Sequence, residues 1–156
     1  MNFLIDTNVI CEKAKRKPNA AVESFWKNVQ LNKWHVFLSE LTVGEIYSGI
    51  VKLEKNGDRS QSRKIRKWWH GIEQEYTHCF LPVTRDITVL WGTVLATTDK
   101  TNPIDKLMAA TALLHDLVLV TRNTKHLMGT GVQLYNPFLN PDPLINPEDF
   151  KRALNY

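Results

Sequence analysis

"NFLIDTNVI", residues 2–10, sets an aspartate directly behind an apolar run. Phe3, Leu4 and Ile5 form a short, wholly apolar segment of the kind that reads as a strand buried on both faces, as in a parallel sheet. Asp6 ends it. A carboxylate at this point either caps the following turn or stands at the edge of a site, and the choice depends on whether the rest of the chain repeats the arrangement.

The arrangement does recur. From Asn19 to Asn32 the apolar residues Val22, Phe25, Trp26 and Val29 follow helical spacing. "WHVFLSELTVGEIYSGIVKL" then predicts a strand through Val36, Phe37 and Leu38, a polar break at Ser39 and Glu40, and a helix beginning near Thr42. Asp58 to Tyr76 reads as a basic amphipathic helix, with Ile65, Trp68, Trp69 and Ile72 on one face. "CFLPV" is a short strand, and a helix follows from about Asp86 with the stripe Ile87, Leu90, Trp91, Val94 and Leu95. In "TNPIDKLMAATALLHD", Asn102 lies near an N-cap and Pro103 at the first helical position, where a missing N–H costs nothing. Leu117 to Val120 gives another buried strand, Asn123 lies just past it, and "VQLYNPF" gives a last strand. Strands separated by helices argue for an α/β domain with a mostly parallel central sheet flanked by helices.

Composition agrees with a single domain. The 156 residues are enough to bury about two thirds of the unfolded surface. The 43% hydrophobic and 23% charged content is that of a globular protein. No apolar run approaches the roughly 20 residues of a membrane span, and the N-terminus lacks the pattern of a secretory signal, so the expectation is a cytoplasmic protein with no membrane partner. Cys11 and Cys79 have no paired spacing and read as reduced thiols. A net charge of +4 leans weakly toward a polyanionic partner. Residues 139–156, rich in proline, read as a tail in which Asn146 and Pro147 start a possible short helix.

Three acids now occupy matched positions. Asp6 follows the first strand, Glu45 is expected in the first turn of the helix after the second, and Asp105 in the first turn of the helix that leads to the strand before Asn123. In an open parallel sheet the carboxyl ends of the strands line one edge, where ligands bind. Three carboxylates and an amide oxygen there suit a hard divalent cation, Mg2+ or Mn2+. Each acid also has a purely structural reading. Asp6 is a possible N-cap, Glu45 completes a capping box from Thr42, and Asp105 sits where a helix dipole favours negative charge.

The segments "FLIDTNVI", "LSELTVGEIYSGI", "PIDKLMAATALLHDLVLVTRNTKHL" and "GVQLYNPF" resemble, in order and approximate spacing, the motifs of PIN-domain ribonucleases, particularly the VapC toxins of bacterial toxin–antitoxin pairs. The resemblance covers most of residues 1–138, which it marks as a PIN domain. It implies a PIN-like fold and puts Asp6, Glu45 and Asp105 on acidic metal-site positions. Asn123 falls on a fourth position that is often aspartate, and Thr121 on a hydroxyl beside it. Asn123 carries one negative charge fewer than an aspartate would, His126 stands where many relatives have an acid, and the tail runs past the usual family end.

The implied activity is metal-assisted attack of water on RNA, often tRNA, leaving 5′-phosphate and 3′-hydroxyl ends. On this reading Asp6 and Asp105 ligate the ion. Glu45 ligates, holds a water or acts as base, and Asn123 orients a water or contacts substrate. Thr7, Thr121, Lys64 and Arg66 are expected on the substrate side, the last two within a basic face from Lys52 to Lys67 that otherwise reads as an ordinary solvated surface. The resemblance also implies a homodimer and an antitoxin that covers the site. Two rivals stand beside it. Asp6 as a phosphoryl-accepting nucleophile is the first, weakened because Asn8 replaces the second aspartate of such phosphatases; an RNA-binding protein whose acids are only caps is the second.

Overall fold

A computed structural model describes residues 1–99 and 101–139. The tail from residue 140 onward, with its expected helix at Asn146, lies outside the described residues. Five strands, β1 (Asn2–Ile5), β2 (His35–Ser39), β3 (Phe80–Leu81), β4 (Val118–Val120) and β5 (Leu134–Tyr135), form one sheet in the order β3-β2-β1-β4-β5. Every pairing is parallel. The helices are α1 (Thr7–Ile10), α2 (Ala20–Leu31), α3 (Glu40–Lys55), α4 (Arg59–Glu75), α5 (Arg85–Thr97) and α6 (Pro103–Leu114).

The unbroken apolar run in β1 follows from its central place. Phe3 and Ile5 bury into a core shared with α1 to α4, including Phe25, Trp34, Ile46, Ile50 and Trp69. Leu4, between them, points the other way into a core with Met108, Ala109 and Ala112 of α6. The period-two alternation of a strand therefore feeds two separate cores, and no polar residue is tolerated on either face. Trp69 is fully buried, its indole N–H donating to Glu73 at 3.0 Å, and Trp68 packs against the same core.

One expected boundary differs. The helix after β2 begins at Glu40, because Ser39 takes the N-cap position and its hydroxyl accepts from the backbone N–H of Leu41 at 3.2 Å. Thr42 is fully buried and its hydroxyl has no described partner, so it caps nothing. Glu45 consequently lies in the second turn of α3 and no longer has a helix terminus to stabilise.

The strand order turns back at β1. The chain moves from β1 to β2 and β3 on one side and then crosses to β4 and β5 on the other. Such a reversal opens a crevice at the carboxyl ends of the central strands.

Candidate active site

That crevice collects the acids. Asp6 leaves the end of β1, with its backbone N–H tied to the carbonyl of Val120 at the end of β4 at 3.0 Å. Glu45 comes from α3, which starts where β2 stops. Asp105 comes from the first turn of α6, which leads into β4. One narrow pocket is lined by Asp6, Glu45 and Asp105, with Ile104, Met108, Leu119 and Leu127 as its apolar wall.

Hydrogen bonds fix these side chains individually. Thr121, fully buried just beyond β4, donates its hydroxyl to an Asp6 carboxylate oxygen at 2.5 Å and accepts from the backbone N–H of Asn123 at 3.0 Å. The amide of Asn8 donates to the same Asp6 oxygen at 2.5 Å and to the Thr121 hydroxyl at 3.3 Å. The Asn8 carbonyl oxygen accepts from the backbone N–H of Arg122 at 3.1 Å. Thr7 donates its hydroxyl to the Glu45 carboxylate. Asn123 donates its amide to Asp105 at 3.4 Å.

What these groups lack is a cation. Among the described residues, none of the three acids takes part in an ion pair. Burial, with the charges of Glu45 and Asp105 added to it, pushes the Asp6 carboxyl up to about 6 against the pull of the Thr121 hydroxyl. The Cys11 thiol is pushed up to about 11, chiefly by burial and then by the charges of Glu45 and Asp6. In both groups burial is the larger cause and the neighbouring carboxylates add to it.

The capping explanations weaken accordingly. Asp6 stands at the N-cap position of α1 but its side chain makes no capping bond. Glu45 is away from any helix end, and only Asp105 keeps a first-turn placement. The donor set of carboxylates and one amide oxygen fits Mg2+ or Mn2+ by ligand type and by charge. As they stand, no three acidic, histidine or cysteine side chains among the described residues close on a single point. Mg2+ asks for less than that, since it is ordinarily held by one or two carboxylates and keeps several waters.

The expected substrate residues are split. Thr7 and Thr121 touch the acids directly. Arg66 is instead paired with Glu54 at 2.9 Å and lies over the Tyr47 ring at 5.7 Å, while Lys64 is exposed on the same helix. Glu54 is nine residues past Glu45, which is about 14 Å along α3. Neither Lys64 nor Arg66 lines the acid pocket. Another cavity of about 410 Å3 lies where α3 meets α4 and β3. Its acids, Glu40 and Glu73, have no third partner there, and Glu73 already accepts from Trp69.

Sequence reading missed Asn8. Spacing alone sets its amide near the Asp6 carboxylate, but its bonds to Thr121 and Arg122 exist only because the fold brings the end of β4 alongside.

Comparison with known proteins gives a consistent result. Toxin FitB of Neisseria gonorrhoeae (strain ATCC 700825 / FA 1090) is 29% identical over 145 residues, covering 87% of this chain and 98% of that protein. VapC ribonuclease Y4jK of Sinorhizobium fredii (strain NBRC 101917 / NGR234) is 26% identical over 138 residues, covering 87% of this chain and 97% of that protein. The crystal structure of FitAcB from Neisseria gonorrhoeae superposes with a TM-score of 0.77 at 25% identity, over 88% of this chain and 99% of that one. The PIN domain family model matches residues 3–127, which take in β1 through β4 and all three acids, and the chain therefore belongs to the PIN domain family.

Proposed function

We propose that the chain is a Mg2+- or Mn2+-dependent endoribonuclease and the toxin of a toxin–antitoxin pair. The observation that carries this reading is the meeting of Asp6, Glu45 and Asp105, remote in sequence, in one pocket with no described counter-charge. The relatives named as a toxin and as a VapC ribonuclease support it.

Within this reading Asp6 and Asp105 hold the ion, and Thr121 and Asn8 keep the Asp6 carboxylate in one orientation. A divalent ion there would supply the positive charge that makes water a nucleophile at neutral pH and that offsets charge building on the phosphate. Glu45, oriented by the Thr7 hydroxyl, accepts the proton of the attacking water or holds that water in place. Asn123, already bonded to Asp105, presents its amide on the substrate side. Water attacks phosphorus, the bond to the 3′-oxygen of the preceding nucleotide breaks, and 5′-phosphate and 3′-hydroxyl ends result. Structured RNA such as tRNA is the proposed substrate, and a homodimer and a VapB-like antitoxin are the proposed partners. Residues 1–138 form the catalytic domain on this proposal. No described helix is long and apolar enough to cross a membrane, and the cytoplasm is the proposed location.

The test expresses the chain alone, as wild type and as Asp6→Asn and Asp105→Asn, and sequences new RNA ends. Growth arrest and new 5′-phosphate ends are expected from the wild type, with chelator abolishing cleavage in vitro. Each variant should lose roughly two orders of magnitude or more, the scale of removing one group that stabilises transition-state charge. RNA binding without scission in all three proteins would refute the enzyme and favour the pure binder; a labile phosphate on Asp6 would favour the phosphatase.

A further inference from the structure

Next to the acid pocket lies a larger cleft, of about 390 Å3, bounded by Asn19 on one side and by Arg122, Lys125, His126 and Asn136 on the other. Its size falls within the roughly 300–1,000 Å3 of ligand sites. The two spaces are joined by Asn123, which lines the cleft and donates to Asp105. Their characters are opposite. The pocket gathers acids, whereas no carboxylate lines the cleft among the described residues.

Arg122 is held ready there. Its backbone N–H donates to Asn8, its carbonyl accepts from the Asn136 amide at 3.2 Å, and its guanidinium lies 4.8 Å from the centroid of the Phe138 ring. A guanidinium stacked on a ring keeps its edge N–H groups free for a phosphate, and less freedom is lost when it binds one. It makes no direct ion pair among the described residues; its charge reaches the buried Glu12 carboxylate, which is paired with Lys15. Lys125 and His126 are exposed beside it, and Arg16 and Lys17 are exposed just before Asn19.

We propose, resting on the nuclease reading above, that this cleft is the path of the RNA strand beside the cut. Arg122 and Lys125 grip the phosphates next to the scissile one. The Phe138 ring is already covered by Arg122, so the cleft offers cations for phosphates and the side-chain amides of Asn19, Asn123 and Asn136 for base edges, a pairing that suits a nucleotide strand. The cleft also begins at the acids, whereas the basic face of α4 is anchored about 14 Å along α3 from Glu45. The path therefore enters between the loop before α2 and the loop after β4.

The test compares two double variants, Arg122→Gln/Lys125→Gln in the cleft and Arg63→Gln/Lys67→Gln on α4. Bulk tRNA binding is measured in an Asp6→Asn background, and cleavage in the wild-type background. The cleft pair should weaken binding about tenfold or more, and should flatten the dependence of log K on log salt by about 1.4, two single-strand phosphate contacts. Its loss in cleavage should appear in KM, with kcat nearly kept. The α4 pair should stay within about twofold, and unchanged melting temperatures confirm folding in both. Equal binding by the cleft pair and its parent, or equal losses from both pairs, would overturn the cleft while leaving the nuclease standing. A parent that neither binds nor cuts RNA would overturn both.

Discussion

Asp105 and Lys106 are adjacent in α6 and meet opposite fates. Lys106 is fully buried, yet its ammonium group donates to a carboxylate oxygen of Asp99 at 2.7 Å, to the Thr101 carbonyl at 2.7 Å and to the Asp99 carbonyl. All three donors of the charge are used, and the result is a strap that binds residues 99 and 101 to the helix. Asp105, one residue earlier, faces two other acids and receives a single long hydrogen bond from Asn123. The fully buried charge finds its partners within the chain and is part of the structure; the half-buried Asp105 finds like charges instead, the arrangement that the proposed divalent ion would neutralise.

The sharpest way to break this contrast is pH. In the metal-free protein Asp6 titrates near 6, against 3.8 ordinarily. Between these values the folded state binds more protons than the unfolded one, so stability is highest below pH 4 for this group and falls as pH rises through 6. The loss by pH 7 is about 3 kcal/mol. Urea unfolding at pH 4 and pH 7 should show it in the wild type, and Asp6→Asn should remove that part of the slope. An unchanged slope would mean that burial and the neighbouring acids together do not hold the proton on Asp6, and the contrast with Lys106 would fail.

A smaller effect is expected on the other side of the comparison. Lys106→Met keeps the stem and removes the charge and its three hydrogen bonds, with an expected cost of about 1–3 kcal/mol. That loss should be visible by thermal melting and insensitive to divalent ions. If Lys106→Met were as stable as the wild type, the strap would contribute nothing and the distinction between the two charges would blur.

Much of this molecule was legible in its sequence, and the reasons are specific. β1, β2 and β4 were visible because central parallel strands bury both faces and so read as unbroken apolar runs. The starts of α2 and α4 were visible because Asn19 and Asp58 cap with their own side chains. The start of α3 was misplaced because "TVGE" imitates a capping box, while Ser39, three residues earlier, performs the capping. That small shift matters: it strips Glu45 of its structural explanation. Asn8 was not legible as part of the site because its role depends on Thr121 and Arg122, more than a hundred residues away in sequence, arriving at the next strand end. The cleft was hidden for the same reason. Asn19 and Arg122 become neighbours only through the sheet order, whereas the contiguous basic run in α4 was conspicuous in one dimension and lies away from the acids in three.

On the proposed function, Asp6, Glu45 and Asp105 form an unneutralised cluster that a divalent ion would neutralise, and the decisive experiment is thermal unfolding of wild type and Asp6→Asn at pH 7, with chelator and with Mg2+ or Mn2+. With chelator the variant should melt above the wild type, since it lacks the unfavourable charge. An ion at about 100 times its dissociation constant should stabilise the wild type by about 2.7 kcal/mol and the variant far less. A variant less stable than the wild type in chelator, together with equal responses of both to the ion, would contradict the account.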